Sequence, residues 1–94
     1  MTQTTVRIPT PLRSFTDGAD QVCISGSTVG QVLLALAERY EGIGARLLDD
    51  DGALRPFVNL FLGPDDIRRL DGLATPVTDG AVLSIIPAVA GGAA

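Results

Sequence analysis

Histidine, lysine and tryptophan are absent from the 94-residue sequence, and cysteine, methionine and tyrosine occur once each. Without histidine the chain lacks the usual general base, the base partner in Ser-His and Cys-His nucleophile pairs, and the commonest metal ligand. Autonomous hydrolytic or zinc chemistry is therefore not expected, and no cofactor is expected on the chain itself. All seven basic residues are arginine, against eleven acids, for a formal charge of −4. That balance disfavours nucleic acid, whose phosphates select basic surfaces, and points to a basic protein partner. A single cysteine, Cys23, excludes an internal disulfide. The start "MTQTTVRIP" has no basic segment followed by an apolar one, so no secretory signal is read there. The longest apolar stretches, such as "VLLALA", fall far short of the ~20 residues of a membrane span. The expected setting is the cytoplasm.

With aromatics at 4% and hydrophobic residues at 46%, Val, Leu, Ile and Ala must fill the interior. A chain of this size buries only about 60 to 65% of its unfolded surface, so its apolar residues must be well patterned. One domain over 1–94 is expected, a small sheet covered by a helix, with no cavity the size of a cofactor.

The pattern supports this. "TVRI" alternates, placing Val6 and Ile8 on one face and Thr5 and Arg7 on the other, as in a half-buried strand. "PTPLRSFTDGAD" interrupts it, and "QVCIS" resumes with Val22 and Ile24 inward and Cys23 outward, which makes a hairpin with a long connection. Ser27 or Thr28 can cap "TVGQVLLALAERY", where Val29, Val32, Leu33, Leu36 and Ala37 form a helical stripe. Gly42 is placed to break this one long helix, and "GIGARLLDDDG" predicts a short helical turn and an acidic loop. "PFVNLFLG" is a strand with Val58, Leu60 and Leu62 on one face and Phe57, Asn59 and Phe61 on the other. "PDDIRRLDGLATPVTDG" holds at most a short edge strand, and "AVLSIIP" is the last strand, before a flexible tail at 88–94. Strand, strand, helix, strand, short element, strand is the α+β order of the β-grasp, a mixed sheet of four to five strands. The first and last strands are expected parallel and central, joined by a right-handed crossover.

From "VLSIIPAVAGG" the chain resembles the ubiquitin-like sulfur carriers of the MoaD and ThiS family, whose last strand runs into a tail ending in Gly-Gly. The likeness extends to "GSTVGQVLLAL", "FVNLFLGPDDIRRLDGLATPVTDGAVLSIIP" and the "PTPLR" loop, and is strongest to the cysteine-synthesis subgroup, CysO type. It implies a protein cosubstrate rather than an enzyme. In the family, an E1-like adenylating enzyme activates the terminal glycine carboxylate with ATP before its conversion to a thiocarboxylate. By position the reacting residue is Gly92, preceded by Gly91, with Val89 and Ala90 in the tail that threads into the partner. Glycine suits that task, since it extends freely and has no β-carbon to clash in a narrow channel.

Ala93 and Ala94 depart from that end, leaving Gly92 without a free carboxylate. The family resemblance implies a pro-form cleaved between Gly92 and Ala93 by a JAMM-type zinc metalloprotease. It further implies that the thiocarboxylate delivers sulfur to an aminoacrylate on a PLP-dependent cysteine synthase. Molybdopterin, thiazole and sulfur-containing natural products stay open as acceptors. A ubiquitin-like modifier or a binding module that is never activated is the alternative of another class.

If Leu83 and Ile85 face the helix, then Val82, Ser84 and Ile86 face away from it, beside Phe57 and Phe61. An uncovered face of this kind is either overlain by the "PTPLRSF" loop through Leu12 and Phe15 or is a docking surface, with Phe57, Phe61, Ser84 and Ile86 as contacts. Docking is the favoured reading. Cys23 lacks the neighbours that would activate a thiol and is read as a strand residue. Asp49, Asp50 and Asp51 lack the alternate spacing of a calcium loop, and the glycines match no phosphate-binding fingerprint.

Overall fold

In the computed structural model, which describes residues 3–56 and 58–87, the alternating segments become strands of one mixed sheet. They are β1 (Gln3–Arg7), β2 (Gln21–Ser25), β3 (Val58–Leu62), β4 (Asp65–Asp66) and β5 (Val82–Pro87), in the order β2-β1-β5-β3-β4. As expected, the first and last strands are parallel and adjacent, with Val6 opposite Leu83, while β2 and β3 run antiparallel on either side of them. The inward positions Val6, Ile8, Ile24, Val58, Leu60, Leu83 and Ile85 are all buried. Val22 and Leu62 pack at the margin of the core. The segment after β3 supplies only the two-residue β4 and two short 3-10 turns. Phe57 and the tail at 88–94 lie outside the described residues.

The crossover is α1 (Val29–Arg39), which lays Val29, Val32, Leu33 and Leu36 on the sheet. Of the two capping candidates Thr28 takes the role, its side chain accepting the amide of Gln31 at 3.2 Å. Gln31 returns the bond by accepting from the amide and hydroxyl of Ser27 at 2.9 and 2.8 Å. This is a capping box shifted by one residue, satisfying amides that helix geometry leaves without partners. The chain from Thr75 to Val77 also ties down this end, with the Val29 amide donating to Thr75 O and the Val77 amide to Ser27 O.

The helix ends earlier than the position of Gly42 suggests. Tyr40 is the C-cap, in extended conformation, and Gly42 is instead the N-cap of α2 (Ile43–Leu47), at φ 92. Its glycine identity is required twice over, by that positive φ and by the Phe15 ring, which a Cβ there would approach to 3.0 Å. Gly44 has a packing role, since a Cβ at that position would stand 2.7 Å from Ala37 Cβ. Thus α2 sits hard against α1, burying Ile43 and Leu47.

The long connection between β1 and β2 is a 3-10 segment, Thr10–Thr16. Leu12 and Phe15 pack on the core cluster, on the side of the sheet that α1 covers, and not over the open face. The cause is tertiary packing: α2 and the ends of β3 and β5 leave an apolar gap there, and Phe15 enters it beside Gly42 and Arg46.

Candidate functional site

Strand β5 carries the chain toward the diglycine segment, and it is held on both sides. Thr5, Val6 and Arg7 of β1 face Val82, Leu83 and Ser84, while Val58 to Leu62 of β3 face Pro87 to Leu83. A central strand bonded along both edges is the most rigid launching point the sheet offers, because releasing it breaks two ladders together. Leu83 and Ile85 point into the core at 0% and 3% exposure, so period two directs Val82 and Ile86 outward, at 37% and 46%.

On that outward face the expected contacts come together in part. Phe61 lies opposite Ser84, and Ile86 lies opposite Asn59 two pairs further along. Phe61 and Ser84 are half-buried and Ile86 is exposed. Phe57 is outside the described residues, as are Val89, Ala90, Gly91, Gly92, Ala93 and Ala94.

The face also holds two arginines that were not among the expected contacts. Arg7 is exposed and pairs across to Ser84, which puts Arg7, Ser84, Phe61 and Asp66 in one row over four strands. Arg68 reaches back from the turn after β4, donating Nη1 to Asn59 Oδ1 and Nη2 to the Val58 carbonyl at 2.9 Å. Arg7 was legible from the alternation that placed it outward. Nothing in the spacing between Asn59 and Arg68 signals their contact, which depends on the chain reversal through β4.

These guanidinium groups alter the electrostatic reading. Whole-chain charge points to a basic partner, but charges are screened over about 8 Å at physiological ionic strength, so a docking partner meets the local pattern. That pattern is an apolar strip of Val82, Ile86 and Phe61 bordered by Arg7, Arg68 and Asp66, charges of both signs.

The remaining candidates stay apart from this site. Cys23 is exposed on β2, with Thr5 between it and Val82, and its carbonyl accepts Arg39 Nη1 at 3.2 Å. Asp49 folds its own loop, accepting the amides of Asp51 and Ala53 at 2.9 and 3.0 Å. Among the described residues no three His, Cys, Asp or Glu side chains are grouped to hold a metal ion, and no helix is long and apolar enough to cross a membrane.

Comparison with known proteins bears on the same strand and tail. The ThiS family pattern matches residues 6–92. The chain is 47% identical to the sulfur carrier protein CysO of Mycobacterium tuberculosis, over 94% of this chain and 97% of that protein. It is 42% identical to small archaeal modifier protein 3 of Haloferax volcanii, over 70% of this chain and 71% of that one. A chain of the Amycolatopsis orientalis BexX/CysO complex superposes with a TM-score of 0.87 at 40% identity, covering 92% of this chain and 96% of that one. Since the family pattern runs from β1 to Gly92 and the mycobacterial carrier aligns over nearly its whole length, this chain belongs to the ThiS family as a homologue of the sulfur carrier protein CysO.

Proposed function

We propose that the protein is a sulfur carrier whose reacting group is the Gly92 carboxylate, freed by hydrolysis of the Gly92–Ala93 bond. The observation that carries this reading is the family match, which ends on Gly92 and continues without a break from the doubly anchored β5. A JAMM-type zinc metalloprotease would release Ala93 and Ala94. An E1-like adenylating enzyme then joins a Gly92 carboxylate oxygen to the α-phosphate of ATP, with pyrophosphate as leaving group. Sulfide from a donor attacks the acyl carbon, AMP departs, and the thiocarboxylate results. The acceptor that fits the likeness to CysO is a PLP-dependent cysteine synthase, and zinc, ATP and PLP all belong to the partner enzymes.

The carrier is a cosubstrate in this scheme. Its fold contributes docking and reach: binding of Phe61, Ser84 and Ile86 to a partner, together with Phe57, turns the tail's reaction into an intramolecular one at high effective concentration. The likeness to a chain of the A. orientalis BexX/CysO complex supports a partner-bound state of this kind.

Intact mass of the chain recovered from its native cells tests the proposal. Loss of Ala93 and Ala94 with sulfur in place of one oxygen is the expected result. A chain that keeps both alanines under every growth condition contradicts it. The likeness to an archaeal modifier protein favours one second reading, conjugation of Gly92 to protein amines, which would appear as amide-linked adducts in place of thiocarboxylate.

A further inference from the structure

Two clefts meet at the end of β5. One, of about 340 Å³, runs past Arg7, Arg13, Asp20, Ser84 and Ile86 and continues the open face. The other, of about 380 Å³, lies on the helix side, between the Thr10–Thr16 segment and the β3–β5 pair, lined by Leu12, Ser14, Phe15, Arg46, Val58 and Ile85. The second cleft is largely apolar, and among the described residues Arg46 is the only ionisable one in its lining. That guanidinium is exposed and sits 5.6 Å from the centroid of the Phe15 ring. An apolar slot with one cation at its lip suits an apolar side chain next to a carboxylate, because the carboxylate meets the cation as the apolar group leaves water.

The location of the cleft narrows the occupant. Gly92 is five residues past Pro87, and five residues span at most about 17 to 18 Å. An active site that acts on Gly92 must therefore bring its rim within that distance of Pro87. Val58 pairs with Pro87, and Ile85 precedes it by two residues, so the cleft wall stands at the root of the tail. The chain's own residues from 88 to 92 offer only Val89 as a side chain larger than alanine, a poor match to a slot of this volume.

We infer that this cleft seats a segment of the adenylating enzyme in which an apolar side chain stands beside a carboxylate, with the carboxylate on Arg46. The surface is separate from the open face, which lies on the other side of the sheet, and the inference rests on the carrier reading given above.

The test uses the chain ending at Gly92, the purified E1-like enzyme and ATP, with pyrophosphate release followed against carrier concentration. Two exposed positions are changed singly: Arg46→Glu reverses the cation, and Ser14→Trp fills the cleft without altering charge. Each variant is expected to raise KM roughly tenfold with kcat unchanged, since Gly92 itself is intact. A KM unchanged from that of the unaltered chain in both variants overturns the inference while leaving the carrier reading in place. An effect of Arg46→Glu alone assigns the arginine to long-range attraction and overturns it too. A lower KM for Ser14→Trp would mean that the cleft holds the chain's own tail. Self-association that Ser14→Trp abolishes would mean that it holds a second copy. No pyrophosphate release from the unaltered chain removes the carrier reading, and the inference with it.

Discussion

Phe61 of β3 stands directly opposite Ser84 of β5, on the face of the sheet that α1 leaves open. The pair shows how one strand serves two purposes. Leu83 and Ile85 close the core on one side, and Val82, Ser84 and Ile86 form the side that α1 leaves open, without either set crowding the other. Substitutions on β5 should therefore divide by parity.

Leu83→Ala, at a fully buried position, is expected to cost about 2 to 5 kcal/mol through lost burial and the cavity left behind. Ile86→Asp, at a position 46% exposed, should change stability by about 0.5 kcal/mol or less yet weaken binding to the adenylating enzyme roughly tenfold. Urea unfolding and titration calorimetry on the two variants separate the effects. A stable Ile86→Asp chain that binds at full strength would remove the open face as a docking surface.

Gly92→Val places a branched side chain on the reacting residue. In the chain ending at that position, pyrophosphate release should fall by roughly a hundredfold or more, because a small misplacement of the acyl carbon is enough to do so. Thermal unfolding should not change. Retention of full activity would move the reacting residue elsewhere.

Thr4 is fully buried, and its hydroxyl has no hydrogen-bond partner among the described residues. Thr4→Val removes that stranded group at nearly constant volume and is expected to raise stability by about 1 kcal/mol. A rise in the denaturant midpoint at unchanged slope is the expected signature, and a fall would mean that the hydroxyl is satisfied in solution.

Gly42→Ala should destabilise by about 1 to 2 kcal/mol, since alanine at φ 92 is strained and its Cβ would press on the Phe15 ring. Phe15→Leu in the Gly42→Ala background relieves the second part only. The two changes together should therefore be less costly than the sum of each alone, as a double-mutant cycle would measure.

Much of the fold was legible because its signals are local. Alternation at Val6 and Ile8, the stripe from Val29 to Ala37, and the alternation from Val58 to Leu62 each report a buried face through their own period. The β-grasp order then follows from a single long helix placed after the first hairpin. The parity of Ser84 and Ile86 was readable for the same reason, as was the diglycine, whose meaning came from resemblance to a family.

Other features had no local signal. Gly42 begins α2 instead of closing α1, because the reversal at Tyr40 needs no glycine whereas the approach of Phe15 does. Leu12 and Phe15 turn to the helix side because the gap they fill is made by α2, β3 and β5 together. Arg68 reaches Asn59 only through the reversal at β4.

The sequence by itself determined which faces of the main strands and of the long helix are buried, in what order the elements form and where the diglycine lies, since periodicity and motif are properties of neighbours along the chain. Only the tertiary structure decided which side of the sheet the long connection covers, which arginines surround the root of the tail and which hydroxyl is stranded in the core. Those are contacts between segments far apart in sequence, set by chain reversals and by competition for the same buried space, and a local pattern encodes neither.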